Sequence, residues 1–361
     1  MAVAEDGADR KVDFPPVDNG LDYLLSVVHH LAPRAVDTQP TARELKYAVL
    51  HLQAAVEVLL KARLLREHWS LVFSRVDVKD ATKQNFKQGN FSSTTPEETV
   101  RRLREIAGLK FAKADLDAMT ALVKDRNALQ HYGLTASAEA IESRAAEVLD
   151  FLIRFLDEQL LPGLESDERA RSEADMVLVR QGLVKIRSFV STRMARLERQ
   201  LTPRLGSTVE CPACRQMAYV IQEGKLASCL FCTHQPDGCE EWDGFGVESQ
   251  LAAIEYAGRV LGTEWKPGGK ADPSDPFTDP STPPVERCLT CGDNAVVLGA
   301  RIALHPERDV AFCFACTRKY DRCEECRNQI SPDGYPYDQP YENEKLCRKC
   351  FHFKLQLLGV I

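Results

Sequence analysis

Residues 211–232 read C-P-A-C-R-Q-M-A-Y-V-I-Q-E-G-K-L-A-S-C-L-F-C, two Cys-x-x-Cys pairs, Cys211/Cys214 and Cys229/Cys232, fourteen residues apart. Two residues between cysteines let both sulfurs of a tight turn face one ion. The stretch between the pairs suits a hairpin that sets the second turn opposite the first. Four thiolates fill the tetrahedral shell of Zn²⁺ and leave no position for water, so such a site stabilises a fold rather than performing chemistry. A redox dithiol is the alternative for one isolated pair, and two pairs in register argue against it. His234 and Cys239 lie close by in sequence and are read as bystanders.

Four more pairs follow: Cys288/Cys291, Cys313/Cys316, Cys323/Cys326 and Cys347/Cys350, separated by twenty-one, six and twenty residues. Twelve of the thirteen cysteines therefore fall into six pairs, which predicts three structural Zn²⁺ per chain. Sequential pairing of the last eight resembles tandem LIM-type modules, although those usually have a shorter joint. Interleaved pairing would resemble the cross-brace of RING-like domains. The near-equal long spacers look like one unit repeated and favour the sequential order. From Cys288 to Ile361 ten basic side chains face ten acidic ones. Eight thiolates with two zinc ions add a net of about −4. That is a poor footprint for a phosphate backbone, so the module is expected to bind a protein partner or to serve as scaffold.

Cysteine is absent before position 211, and this asymmetry divides the chain. At 361 residues roughly two to four domains are expected. A composition of 44% hydrophobic and 27% charged residues is ordinary for a soluble protein. The formal charge of −7 gives no global case for nucleic-acid binding. The acidic, Pro-containing start lacks the basic and apolar runs of a signal peptide. No apolar stretch is long enough to span a membrane. A cytoplasmic location is the expectation, and there paired cysteines read as metal ligands rather than disulfides.

The region before the cysteines reads as helical. Thr41 caps a long helix whose stripe Leu45, Ala48, Val49, Leu52, Ala55, Val56, Leu59, Leu60 follows three-and-four spacing. Thr95, Pro96 and Glu98 open another helix as cap, first-turn proline and capping-box partner. A third runs from Ala114 to Tyr132 and stops at Gly133. A fourth begins at Ser137. The fold class expected is α plus small zinc-bound β: an antiparallel helical bundle followed by three four-cysteine zinc sites in ribbon-like modules. The boundaries expected are a disordered N-terminus (1–20), the bundle (21–162), a basic linker helix (167–204), a zinc ribbon (205–245), a short helix with a Pro-rich flexible linker (246–287) and the tandem zinc module (288–361). From Arg169 to Arg204, nine Lys or Arg stand against three acidic residues. That helix is read as an RNA contact or as a lever between bundle and ribbons.

Residues 119–133 read M-T-A-L-V-K-D-R-N-A-L-Q-H-Y-G. Here the chain resembles the HEPN superfamily (higher eukaryotes and prokaryotes nucleotide-binding), whose ribonuclease members carry Arg, a polar residue and His in an Arg-x4–6-His motif. Arg126, Asn127 and His131 fit with four intervening residues. The segment V-E-V-L-L-K-A-R-L at Val56–Leu64 looks like the second helix of such domains. The resemblance covers roughly residues 20–160. It implies a metal-independent endoribonuclease acting on an RNA substrate, a homodimer with both motifs in one cleft, and 2′,3′-cyclic phosphate and 5′-hydroxyl products. The residue types suit that chemistry. RNA carries its own nucleophile, the 2′-hydroxyl. His131 supplies a group titrating near neutrality, and Arg126 supplies fixed positive charge for the phosphorane. Arg and His five apart lie about 140° apart on an ideal helix, so the helix must loosen near Gly133 or two copies must combine. The bland alternative is structural: Arg126 in an ion pair with an acidic neighbour such as Glu57, and His131 favoured by the helix dipole. The chain would then be a non-enzymatic dimeric zinc-binding adaptor. Glu57 with Lys61 is a weaker site candidate, since most such pairs are solvated helix contacts.

Overall fold

The computed structural model describes residues 13–35, 38–75, 77, 79, 81–236, 247–263, 284–326, 329–330 and 346–357. Cys239, residues 1–12 of the expected disordered N-terminus and residues 264–283 of the expected linker lie outside the described residues. Two compact units are formed, Met1–Ala195 and Arg196–Ile361. No described helix is long and apolar enough to cross a membrane.

The first unit is the helical bundle. Helix α1 (Pro16–Leu31) begins inside the segment expected to be disordered to residue 20. Pro16 suits a first helical turn because the missing N–H would have no partner there, and Val17, Gly20 and Leu21 are buried. Helix α2 (Ala42–Leu65) opens with a full capping box. Thr41 Oγ1 accepts the Glu44 N–H (3.3 Å), and the Glu44 carboxylate accepts the Thr41 N–H (2.7 Å). Contacts of Gly20 with Leu59, Ser26 with His51 and His30 with Tyr47 step in opposite directions along the two helices, so α1 and α2 are antiparallel. At Gly20 the approach is so close that an added Cβ would overlap Leu59 Cδ2 and Cγ.

The apolar stripe of α2 is buried along its length. It packs against α1, α4 (Pro96–Glu105), α5 (Lys113–His131) and α6 (Ala138–Phe155), which makes α2 the central helix. The short α3 (Lys83–Gln88) is peripheral to that core. Thr95 caps α4 as expected, accepting the Glu98 N–H. The Glu98 carboxylate, however, turns to Arg101 and Arg102 instead of closing a capping box.

The basic helix expected over 167–204 is interrupted. Helix α7 (Ser166–Leu183) is separated from α8 (Arg187–Leu201) by Val184, Lys185 and Ile186. The break is closed by tight bonds from Val184 N–H to Arg180 O and from Lys185 N–H to Gly182 O. Helix α7 packs along α1, where Gly182 lies so near Val28 that an added Cβ would clash with its Cγ1. Its arginines serve the bundle. Arg180 pairs with Asp157, whose carboxyl is pushed up by burial despite that partner. Arg193 of α8 meets the fully buried Asp150 at 2.8 Å, and Arg154 bridges Asp150 and Asp115. Two of the nine basic residues over 169–204, Arg180 and Arg193, thus answer buried or half-buried carboxylates.

The second unit holds two small antiparallel sheets. Strands β1 (Thr208–Val209), β2 (Tyr219–Gln222) and β3 (Lys225–Cys229) form one, in that order. Strands β4 (Glu286–Arg287), β5 (Asn294–Arg301), β6 (Asp309–Cys313), β7 (Lys319–Arg322) and β8 (Gln329–Ile330) form the other. A bridge between Val209 and Ile302 joins them. Helix α9 (Val247–Arg259) packs on both β3 and β5. Its Tyr256 is fully buried, takes the Arg301 N–H on its hydroxyl (3.0 Å) and packs on Phe314. The helix expected merely to precede a linker is therefore a core piece shared by two Cys-rich modules.

An ordinary mid-helix Gly→Ala change gains about 0.5–1 kcal/mol. At Gly20 the sign should reverse, with a loss of about 1–3 kcal/mol from overpacking against Leu59. Thermal unfolding of the Gly20→Ala chain checks this, and an unchanged or raised midpoint would show that the α1–α2 contact can relax.

Candidate metal centres and the Arg-Asn-His turn

The twelve paired cysteines gather into three sets: Cys211, Cys214, Cys229, Cys232; Cys288, Cys291, Cys313, Cys316; and Cys323, Cys326, Cys347, Cys350. Within each, all four sulfurs lie within 4.8 Å of one another. The last eight cysteines thus pair sequentially, not as a cross-brace. Sulfur separations are 3.7 Å for Cys211–Cys232 and Cys214–Cys229, 3.6 Å for Cys288–Cys316, 3.8 Å for Cys291–Cys313 and 3.7 Å for Cys326–Cys347. A tetrahedron with Zn–S bonds of about 2.3 Å has edges of about 3.8 Å. Soft thiolate donors at that spacing suit Zn²⁺ and leave no open coordination position.

Among the described residues, four of the pairs share one backbone device. The residue after the second cysteine is left-handed: Arg215 (φ 63°), Thr233 (φ 62°), Gly292 (φ 85°) and Thr317 (φ 59°). Its N–H returns to the carbonyl of the first cysteine, at 2.9 Å for Arg215 to Cys211 and Thr233 to Cys229, and 3.0 Å for Gly292 to Cys288 and Thr317 to Cys313. The first cysteine's own N–H closes the turn onto the residue five ahead, Gln216, His234, Asp293 or Arg318. Three of the four positions are not glycine, and each such residue carries a cost of roughly 1–2 kcal/mol. The final pair is built differently. Phe351 N–H bonds to Cys347 O, and Cys350 lies in the first turn of α10 (Arg348–Leu357).

Shielding falls from the first set to the third. Cys211, Cys214 and Cys229 are buried, whereas Cys291 and Cys326 are exposed. Among the described residues the third set has a small core of Ile330 and Leu346, with Phe351 packed against it. In the second set the Tyr320 hydroxyl sits 3.0 Å from Cys288 Sγ and 2.7 Å from Thr290 Oγ1. Burial raises the Cys288 thiol, but hydrogen bonds from Tyr320 and from the backbone N–H groups of Cys291 and Thr290 outweigh it and bring it to about 6. Burial likewise opposes ionisation of Cys323, and the N–H groups of Cys326, Cys347 and Glu325 bring it to about 6. His234 is not a ligand. Its Nε2 lies 3.1 Å from a Glu255 carboxylate on α9. Neither Tyr320 nor the left-handed residues carries a spacing signal in sequence, and only their closeness to a cysteine pair hints at a role.

The structure brings two of the three expected bundle-site residues together. Arg126 Nη1 donates to Asn127 Oδ1 at 2.9 Å, and both side chains are half-buried. The acidic neighbours are otherwise engaged: Asp125 pairs with Arg144 of α6 at 2.6 Å, and Glu57 with Lys61, which also reaches the Ser93 hydroxyl. His131 is the last residue of α5, exposed, with no ring hydrogen bond to a described residue. The helix does not loosen before it. Tyr132 N–H (3.1 Å) and Gly133 N–H (2.7 Å) both close on Ala128 O, and Gly133 takes the left-handed conformation at φ 95°. Arg126 and His131 of one chain therefore stay about 140° apart around the helix.

No protein-family model matches the chain, and no curated protein or solved structure is significantly similar to it.

Reduced protein should carry about three zinc ions, and under a chelator the first to leave should come from Cys323, Cys326, Cys347 and Cys350. Native mass spectrometry checks the order: the fastest-released ion should be missing in Cys326→Ser, and its persistence there would assign it elsewhere. Thr317→Gly should relieve left-handed strain of about 1 kcal/mol and raise the thermal midpoint by about 2–4 °C.

Proposed function

We propose that this chain is a metal-independent endoribonuclease of HEPN type in which Arg126, Asn127 and His131 act on the scissile phosphate. The supporting observation is the state of the motif at the end of α5. The guanidinium is held by Asn127 instead of being consumed by a carboxylate, and the imidazole projects into solvent from the last helical turn. A structural Arg126 would be expected in an ion pair with a carboxylate, and none of the described carboxylates pairs with it.

In this reading the RNA 2′-hydroxyl attacks the adjacent phosphorus. An imidazole takes its proton or protonates the departing 5′-oxygen, since histidine ordinarily titrates near neutrality. The Arg126 guanidinium meets the charge that accumulates on the phosphorane oxygens. Asn127 is a positioning residue: its Oδ1 fixes one edge of the guanidinium and leaves the other edge for phosphate. Because α5 stays regular to His131, one chain cannot present both groups from one helical face. The reaction therefore calls for a homodimer in which the imidazole of one copy completes the guanidinium of the other. Zn²⁺ enters no step; the four-cysteine sets hold the second unit together.

The runner-up is a non-enzymatic adaptor, favoured by exposed apolar side chains on the metal modules. Leu289, inside the Cys288–Cys291 turn, is 58% exposed, and Phe353 and Leu357 of α10 are 61% and 71% exposed. In the enzyme reading the same residues recruit a protein partner.

Brief incubation of the purified chain with RNA in EDTA buffer separates the two, kept short because prolonged chelation unfolds structural zinc sites. The enzyme reading expects cleavage with cyclic-phosphate ends and a loss of roughly 100-fold or more in His131→Ala, the usual worth of a general acid or base. Equal background in wild type and His131→Ala supports the adaptor.

A further inference from the structure

A cavity of about 170 Å³ opens beside the Arg-Asn-His turn. Leu129 and Leu134, which bracket His131–Gly133 in the chain, contribute to its wall, as do Ala136 and Ile141 beyond the turn and Leu45 and Lys46 of α2. It is smaller than the roughly 300–1,000 Å³ typical of sites for drug-sized ligands and on the scale of one planar ring. Its lining is aliphatic apart from Lys46. Tyr132, which follows His131 in the chain, is 82% exposed, its backbone fixed by the bond from its N–H to Ala128 O. Tyr132 is two residues from Leu134, so their Cα atoms are at most about 7.6 Å apart. Positive charge lies on the α2 side. Arg43 and Lys46 are exposed and flank the Tyr47 ring at 5.8 and 6.0 Å. The adjacent Glu44 carboxylate is taken up by Thr41 and Arg34, so it does not neutralise them.

An exposed aromatic, a ring-sized apolar cavity and exposed cations on the neighbouring turn of α2 are the parts of a single-strand binding groove. Bases stack on aromatic faces while cations follow the backbone. A duplex would keep its bases stacked and paired, out of reach of such a cavity. We propose that this surface is a nucleobase subsite for single-stranded RNA. One base beside the scissile phosphate enters the cavity, its neighbour stacks on Tyr132, and Lys46 with Arg43 holds the connecting phosphates. The assignment rests on the ribonuclease reading, and it adds where the strand lies and that the strand must be unpaired.

The test is fluorescence anisotropy with a labelled single-stranded oligoribonucleotide whose 2′-hydroxyls are methylated, which blocks cleavage and isolates binding. Tyr132→Ala and the cavity-filling Ala136→Trp, both at exposed positions, should each weaken binding roughly tenfold, the scale of one lost base stack. Tyr132→Phe should bind as wild type. A duplex of the same sequence should bind more weakly than the single strand. If wild type binds and cleaves RNA while Tyr132→Ala and Ala136→Trp match it, the subsite is overturned and the ribonuclease stands. If wild type neither binds nor cleaves RNA, both fall. A change of oligomeric state in Ala136→Trp with unchanged RNA affinity assigns the cavity to a protein contact and likewise overturns the proposal.

Discussion

Four thiol sulfurs crowded within 4.8 Å are the constraint on which the second unit depends. Two unit charges 4 Å apart repel by about 4 kcal/mol at an effective dielectric near 20, and a four-thiolate set contains six such pairs. The sets can ionise fully only around a cation. Hydrogen bonds relieve one thiol in each of the last two sets, Cys288 and Cys323, while Cys291 and Cys350 are pushed up to about 12, burial being the largest cause. A bound cation would supply the remainder, and folding of this unit would then be coupled to capture of its ions. Arg215, Thr233 and Thr317 add the cost of three left-handed non-glycine residues beside the sulfurs.

The bundle answers to a different force. Helix α2 buries an unbroken aliphatic stripe against four neighbours, and hydrophobic burial needs no ion. What polar chemistry the bundle contains sits at its seams. Arg66 donates to the carbonyls of Gln159 and Leu160 where α6 unwinds. Arg154 and Arg193 satisfy Asp115 and Asp150. Asp125 with Arg144 ties α5 to α6 one residue before Arg126, so the guanidinium starts from a backbone already fixed to its neighbour.

Features decided by local spacing are legible in the sequence. The cysteine sets and the α2 stripe follow from intervals of three and four residues, and the caps at Thr41, Thr95 and Ser137 follow from residue type. Features decided by a distant partner are not. Nothing near Pro16 reveals that Val17 and Gly20 find a buried place, because that place is made largely by α2. The basic run after Arg169 suggests a solvated or RNA-facing helix, yet the carboxylates answering Arg180 and Arg193 lie 23 and 43 residues away. The short α9 gives no sign that it packs on both β3 and β5. The RNA reading of the turn at 126–131 remains a proposal, since it depends on a second copy of the chain.

That dependence follows from the way α5 ends. Had the helix opened after Arg126, one chain could fold its imidazole back toward its own guanidinium, and a monomer would suffice. Instead the bonds from Tyr132 and Gly133 to Ala128 hold the last turn closed, and His131 is presented on a different side from Arg126. A two-fold axis is the simplest operation that turns such a divided motif into a cleft, because an isologous contact repeats every pairing and sets each imidazole opposite the other chain's Arg-Asn pair. The second unit offers little to a phosphate backbone, since Arg196–Ile361 carries 24 acidic against 19 basic side chains. Attraction for RNA in the proposed reaction must then come from the bundle's own cations around that cleft, while the second unit exposes Leu289, Phe353 and Leu357, apolar side chains that phosphate would not hold.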